Sequence, residues 1–241
     1  MTEGKGSWRL IWILVGILAA ICAGVILYCV VLHLHYQQQV TSAGELPRTV
    51  RQARKLLDEK KPEEALAKCN EVLEQLSRDD DPPLYAYAKR MQGTCYTWLA
   101  RRSDKEANLT KAVAAFEEAL ALYPPDRLPA SHAAVQTLLG GAYRDFGLAG
   151  QPEKHLPKAL QAYEEALRIY TDDRYPIEHA KTQNSLGTVY TALARAGDRQ
   201  KNLAKAIRAY EVALKTLSED KYPKLHATAR TNLEGARRLL E

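Results

Sequence analysis

One interval organises this sequence: residues of the same type recur every 47 positions. Proline, glycine and tyrosine each form a column at this offset: Pro82, Pro129, Pro176 and Pro223; Gly93, Gly140 and Gly187; Tyr96, Tyr143 and Tyr190. A single offset shared by several residue types is typical of a solenoid, in which each unit cannot bury its apolar face alone and must stack on its neighbours. The sequence therefore predicts repeating units over most of the chain.

Each repeating unit contains two stretches with helical spacing of apolar residues. The first stretch begins at a column proline and carries the glycine and tyrosine columns, and the second carries FEEAL, YEEAL or YEVAL. We predict an all-α fold, a right-handed α-solenoid of stacked helix-turn-helix repeats. Four helix pairs would occupy residues 46–222, and a capping helix would occupy residues 223–241. The polar outer face of this cap would hold Arg230, Arg237 and Arg238.

The best-preserved unit reads Leu186-Gly187-x2-Tyr190, followed by Ala206-x3-Tyr210 and Ala213. This pattern resembles the tetratricopeptide repeat (TPR), whose signature contains Leu-Gly-x2-Tyr followed by Ala-x3-Phe and a later alanine. The unit is longer than the family's repeat of about 34 residues. We expect the additional residues in the loops, partly as ordered extensions of the second helix, with an aligned ridge of lysines at Lys111, Lys158 and Lys205.

The amino-terminal part of the chain is predicted to span a membrane. Leu10 to Leu32 are 23 consecutive residues without a formal charge, and a helix rising about 1.5 Å per residue would cross a hydrocarbon core of about 30 Å. We assign a tail to residues 1–9, a transmembrane helix to residues 10–34 and a juxtamembrane linker to residues 35–45. A cleaved signal peptide is the alternative, but its apolar region is shorter, about 7–15 residues.

Charges beside this span predict its orientation. Lys5 and Arg9 precede it closely, which favours a cytoplasmic amino terminus and a repeat domain on the opposite side. Within the span, Gly16, Ala20 and Gly24 are spaced by four and would share one helix face, where a second helix could approach closely. Homo-oligomers through this face are therefore possible, although small residues are also common in membrane helices without any such role.

The sequence contains no motif that predicts catalysis or a cofactor. It has no glycine-rich phosphate loop, no HExxH, no G-x-S-x-G and no zinc-type spacing of Cys and His. His132, His179 and His226 are in register, but neighbouring units lie too far apart to share a metal ion. A net charge of +5 comes from 34 basic and 29 acidic residues, a mixed surface that does not favour nucleic acid. We expect no enzyme activity, no cofactor and no metal.

The TPR resemblance implies a concave groove, lined by the first helix of each pair, that receives an extended peptide or a partner helix. Helical geometry assigns nine residues to this groove: Tyr87, Arg90, Thr94, Thr97, Thr137, Arg144, Lys181, Asn184 and Thr188.

This polar, mildly basic surface would suit an acidic segment held by Arg90, Arg144 and Lys181. The alternative is that the nine residues are simply solvated. The expected function is that of a membrane-anchored adaptor or co-chaperone that binds a partner protein or peptide. A self-assembling membrane scaffold without a dedicated peptide ligand is the alternative function.

Overall fold

The computed structural model describes residues 47–241. The predicted tail, transmembrane helix and linker, with the Gly16, Ala20 and Gly24 face, lie outside the described residues. Inside the described part, no helix is both long enough and apolar enough to cross a membrane. Residues Thr49–Glu241 form one compact unit.

Residues 47–241 contain nine α-helices and no β-strand, so the prediction of an all-helical repeat is confirmed. The helices are α1 (47–58), α2 (Pro62–Gln75), α3 (Pro82–Leu99), α4 (Lys105–Leu120), α5 (Pro129–Leu148), α6 (Pro152–Ile169), α7 (Pro176–Ala196), α8 (Arg199–Thr216) and α9 (Pro223–Leu240). Consecutive helices from α2 to α9 pack against one another, as in an α-solenoid.

Local sequence explains where the helices begin. The proline column opens α3, α5, α7 and α9, because proline at the first helical position has a suitable φ and lacks only an N–H that would be unpaired there. Asp81 caps α3 by accepting a 3.0 Å hydrogen bond from the Leu84 N–H. Asp104 and Asp198 precede α4 and α8 with φ of 44° and 46°, left-handed conformations that Asp tolerates better than most residues.

The additional length of the repeat is mostly helix. The expected extension of the second helices is present, but the expectation that the loops would hold the additional residues is wrong. The turns within the pairs are short, covering residues 100–104, 149–151 and 197–198. First helices are lengthened as well as second helices, up to 21 residues in α7. The physical reason is that apolar residues continue the helical spacing to the ends of both helices, as Leu203 near the start of α8 shows by its complete burial.

A glycine and an aromatic ring form the centre of three helix pairs, α3–α4, α5–α6 and α7–α8. The rings of Phe116, Tyr163 and Tyr210 on the second helices are buried against Gly93, Gly140 and Gly187 on the first helices. A β-carbon at Gly187 would lie 2.5 Å from the Tyr210 ring. Glycine is therefore needed here for the close approach of the two helices, which explains why the glycine and aromatic columns repeat together.

The two layers of the stack differ in how closely their helices approach. Successive first helices, α3 with α5, α5 with α7 and α7 with α9, contact one another directly, whereas from α2 to α9 no two second helices do so. A two-layer stack bends towards the layer whose members lie closer together. The first helices of Thr49–Glu241 therefore line the inner face of the stack.

The lysine column on the second helices contacts the tyrosine column of the first helices. Each lysine ammonium lies 5.1–5.6 Å from the centre of a tyrosine ring in its own helix pair: Lys111 over Tyr96, Lys158 over Tyr143 and Lys205 over Tyr190. At this distance an ammonium is attracted by the negative face of the ring. The predicted lysine ridge therefore has a packing role in each pair.

Candidate partner-binding groove

The inner face of the stack is the candidate site. Among the nine residues predicted to line it, Lys181 is exposed and the other eight are half-buried. The structure does not place them in one continuous cluster. Three of them line a cavity between α3, α5 and α7, one lines a second cavity between α7 and α9, and the rest lie outside both cavities.

The first cavity has a volume of about 220 Å³ and is called here the α3–α5–α7 cavity. Successive first helices contribute the predicted residues Arg90, Thr137 and Lys181. The remaining lining residues are Ala134, Leu138, Tyr170, Glu178 and Thr182. The lining combines apolar and charged side chains, so it can accept an apolar side chain while a neighbouring polar group is held by charge.

The hydroxyl groups around this cavity are already bonded to backbone carbonyls. Thr137 donates to the Ala133 carbonyl at 2.9 Å, Thr182 to the Glu178 carbonyl at 2.7 Å, and Tyr170 to the Ala130 carbonyl at 3.1 Å. Burial raises the pKa of the Tyr170 phenol, which keeps its proton available for that bond. These contacts fix the positions of the three hydroxyl groups around the cavity.

Two cations of the α3–α5–α7 cavity have no carboxylate within 4.0 Å in the part of the chain that the structure describes: Arg90 and Lys181. The Arg90 guanidinium lies 4.8 Å from the centre of the Tyr87 ring. Tyr87, which was also predicted to line the groove, therefore makes a cation–π contact with Arg90. Glu178 also lines the cavity, and the lining therefore has two positive charges against one negative charge.

Arg144, which the sequence suggested would hold an acidic ligand, is already bonded to a carboxylate of its own helix. Its Nε and Nη2 atoms both donate to Oδ1 of Asp145, at 3.0 and 2.8 Å, and only 22% of its side chain is exposed. It also lies close to the phenols of Tyr163 and Tyr210. With its charge balanced by Asp145, Arg144 has less to offer an acidic ligand, and the expected clamp of three cations is reduced to Arg90 and Lys181.

The remaining predicted residues make contacts within the helix layer. Asn184 Oδ1 accepts a 3.1 Å hydrogen bond from Asn232 Nδ2, which joins α7 to α9. Thr94, Thr97 and Thr188 donate their hydroxyl protons to carbonyls of their own helices. Their oxygen atoms can still accept hydrogen bonds, but they are not positioned around a single ligand.

The second cavity has a volume of about 350 Å³ and is called here the α7–α9 cavity. Its lining includes Arg195 and Arg238 together with Thr188. Sequence reasoning assigned only the threonine to the groove and expected Arg238 on the polar outer face of the capping helix, whereas Arg238 lines this cavity. The two arginines occupy different columns of the 47-residue repeat, so aligning the units did not bring them together, and only their positions near the ends of α7 and α9 could have suggested the pairing.

The candidate metal and thiol residues have structural contacts. Nδ1 of His132 lies 2.8 Å from the Tyr123 carbonyl and Nδ1 of His226 lies 2.7 Å from the Leu217 carbonyl, so both join a first helix to the preceding second helix. The described residues contain no group of His, Cys, Asp or Glu that could hold a metal ion. Cys69 and Cys95 are completely buried and face each other between α2 and α3.

Comparisons with known proteins give this chain no family. No protein-family model matches it, and no curated protein matches it. Among solved structures, the crystal structure of BtubC from P. vanneervenii matches with 16% sequence identity and a TM-score of 0.35, over 81% of this chain and 88% of that chain. A likeness at this TM-score carries no argument about the fold or the function of the present chain.

Proposed function

We propose that this chain is a membrane-anchored, TPR-like adaptor that binds an extended segment of a partner protein on the inner face of its helix stack. The observation that carries the proposal is the α3–α5–α7 cavity, in which three successive first helices place Arg90, Thr137 and Lys181 around one opening. Helical repeat proteins use surfaces of this kind for peptides, because each unit adds side chains to one continuous face.

The chemistry of the cavity defines the class of ligand. Ala134, Leu138 and Tyr170 supply an apolar surface for one aliphatic or aromatic side chain. Arg90 and Lys181 would hold a carboxylate beside it, because charge-assisted hydrogen bonds to carboxylates are stronger than neutral ones. The ligand would therefore carry an apolar residue next to an acidic residue or to a terminal carboxylate.

The membrane part of the proposal rests on the sequence of residues 10–34, which lie outside the described residues. Alkaline extraction of membranes tests it: the full chain would stay with the lipid, and a variant lacking residues 10–34 would be released. Recovery of the full chain in the soluble fraction would contradict a membrane anchor.

Photo-cross-linking tests the adaptor function. A photoreactive amino acid replaces Thr137 inside the cavity, and a second variant carries it at Arg208 on the exposed side of α8 as the control. We expect a cross-link to one heterologous protein from position 137 only, and we expect Arg90→Glu with Lys181→Glu to abolish it. A cross-link that persists in this double variant would contradict binding by the cavity.

Self-assembly is the alternative outcome of the same experiment. Cross-links from position 137 to other copies of this chain alone would replace the adaptor proposal with a scaffold. The exposed side of α9 does not favour a stacked contact between copies, because Arg230 and Glu234 form an ion pair of 3.0 Å there. Desolvating an exposed ion pair costs energy that a stacked contact would have to recover.

A further inference from the structure

The α7–α9 cavity has no role in the proposed function, and the charged side chains of its lining are all positive. Arg195 and Arg238 line it, and no carboxylate does. Within residues 47–241, neither arginine has a carboxylate within 4.0 Å. By contrast, the other arginines of α9 are paired, Arg230 with Glu234 and Arg237 with Glu211. Two unpaired guanidinium groups at one concave surface attract an anionic group.

Polar side chains complete this surface. Thr191 and the phenol of Tyr210 lie 3.1 Å apart, and Thr188 and Asn232 line the same cavity. One wall is apolar and includes Leu148, of which 54% is exposed. Arginine, hydroxyl and amide groups beside an exposed leucine match an acidic side chain on a peptide, whose backbone and apolar atoms can cover the leucine.

The two cavities open on the same face of the first helices. Thr137 in the α3–α5–α7 cavity and Thr231 in the α7–α9 cavity stand at equivalent positions of the repeat, as do Leu138 and Asn232. One ligand can therefore reach both cavities without crossing to the other layer of the stack.

The separation of the cavities sets the spacing of the ligand's contact residues. Along α7, the centres of the two linings differ by about eleven residues, or about 17 Å at 1.5 Å per residue. Across the stack they differ by one first helix, about 9 Å. The combined distance of about 19 Å corresponds to about five to six residues of extended chain.

We propose that the partner segment is held at two points, with an apolar residue in the α3–α5–α7 cavity and an acidic residue, about five to six positions away, bound by Arg195 and Arg238 in the α7–α9 cavity. This inference rests on the proposed function and specifies its ligand. The acidic residue supplies carboxylate oxygens to the two guanidinium groups, and the intervening residues lie extended across α7.

Selection from a random-peptide library tests the inference with the full chain in detergent micelles. The wild-type chain is expected to enrich peptides that combine an apolar residue with Asp or Glu about five to six positions away. The variant Arg195→Glu/Arg238→Glu is expected to lose the acidic preference and keep the apolar one. The variant Arg208→Glu/Lys215→Glu, which changes the same number of charges on the exposed side of α8, is the matched control and is expected to select as the wild type does.

Fluorescence anisotropy with one selected peptide then measures the contribution of the second cavity. We expect binding to weaken about tenfold or more in Arg195→Glu/Arg238→Glu, because attraction becomes repulsion, and to stay unchanged in the control. Acidic enrichment that persists in Arg195→Glu/Arg238→Glu, with no loss of affinity, would overturn the two-point inference and leave the proposed function standing. Failure of every variant and of the wild type to enrich any peptide would overturn the proposed function itself.

Discussion

The phenol of Tyr143 on α5 donates a 2.9 Å hydrogen bond to Oε1 of Glu117 on α4, in the preceding helix pair. The ammonium of Lys158 lies over the same ring at 5.3 Å, from the second helix of the pair that contains Tyr143. One side chain therefore connects two successive pairs. On α9, Arg237 takes the tyrosine's position and forms a 2.7 Å ion pair with Glu211, the counterpart of Glu117.

The Tyr143 contact predicts a measurable shift in titration. Burial, and then the hydrogen bond and charge of Glu117, raise the pKa of Tyr143 to about 12. Because the folded state keeps this proton longer than the unfolded state, the stabilisation is complete below about pH 10 and is lost as the pH rises through about 12. We expect Glu117→Gln to lower the pKa of Tyr143, measured by NMR of ring-labelled tyrosine. Glu118→Gln is the control, since Glu118 contacts Tyr85 and Lys89 and not Tyr143. An unchanged titration in Glu117→Gln would contradict the contact.

Alanine is expected to have opposite effects on stability at two glycines, Gly187 in the repeat column and Gly235 outside it. In Gly187→Ala the new β-carbon meets the buried Tyr210 ring at 2.5 Å, and the overpacking should cost about 1–3 kcal/mol of unfolding free energy. In Gly235→Ala no heavy atom lies within 4 Å, and the better helix propensity of alanine should stabilise the chain by about 0.5–1 kcal/mol. Chemical denaturation of both variants measures the difference. Equal shifts in the same direction would show that the ring contact does not control stability.

Sequence reasoning predicted the features that depend on register. The 47-residue columns identified the helix pairs and the recurring glycine and aromatic positions, because a contact repeated from unit to unit leaves repeated residues. The columns did not show that these glycines and rings contact each other. Sequence reasoning did not predict that Arg144 is neutralised by Asp145, since that bond occurs in one unit only. It also missed Arg195, and it assigned Arg238 to the polar outer face of the cap. The cavity that the two arginines share depends on how the ends of α7 and α9 approach and not on the repeat.

The environment of His155 leads us to expect that acid destabilises the α5–α6 helix pair. His155 occupies the repeat position that is asparagine in the neighbouring pairs. There, Asn108 and Asn202 donate hydrogen bonds to the Ser103 and Gly197 carbonyls of the turns before their helices. The His155 imidazole instead stacks on the Phe146 ring, with ring centres 4.5 Å apart, and its buried Nδ1 has no hydrogen-bond partner among the described residues.

Burial, then the nearby charges of Lys154 and Lys158, lower the pKa of His155, while Glu106 and Glu153 oppose the shift weakly. The unfolded state therefore binds this proton more readily, so the stabilisation is present above about pH 6.5 and is lost as the pH falls through the folded pKa. We expect His155→Phe, which keeps a ring on Phe146, to lose less stability than the wild type between pH 7 and pH 5. Urea denaturation at both pH values provides the comparison, and identical losses would exclude His155 as the cause.

Cys69 and Cys95 predict resistance to thiol reagents. Both side chains are completely inaccessible, and the hydrogen bond with Cys69, followed by burial, raises the pKa of the Cys95 thiol. Inaccessibility protects both thiols in the folded state, and the raised pKa protects Cys95 further, because the thiolate is the reactive form. A reagent can reach either thiol only after α2 and α3 separate. If the free energy of this separation equals that of global unfolding, modification should be at least about a thousandfold slower than at an exposed cysteine.

The labelling experiment uses a Cys22→Ser/Cys29→Ser background, so that Cys69 and Cys95 are the two remaining cysteines. Ser103→Cys, at an exposed position in the turn after α3, supplies the fast reference in the same background. If denaturant accelerates labelling of Cys69 and Cys95 only as the whole chain unfolds, the first helix pairs share the stability of the rest of the stack. If labelling accelerates at a lower denaturant concentration than global unfolding requires, α2 separates from α3 before the rest of the stack unfolds. Such early opening is expected of a unit with fewer neighbours, because the units of a stack are stabilised by nearest-neighbour contacts. Rapid labelling in native buffer would contradict the buried thiol pair itself.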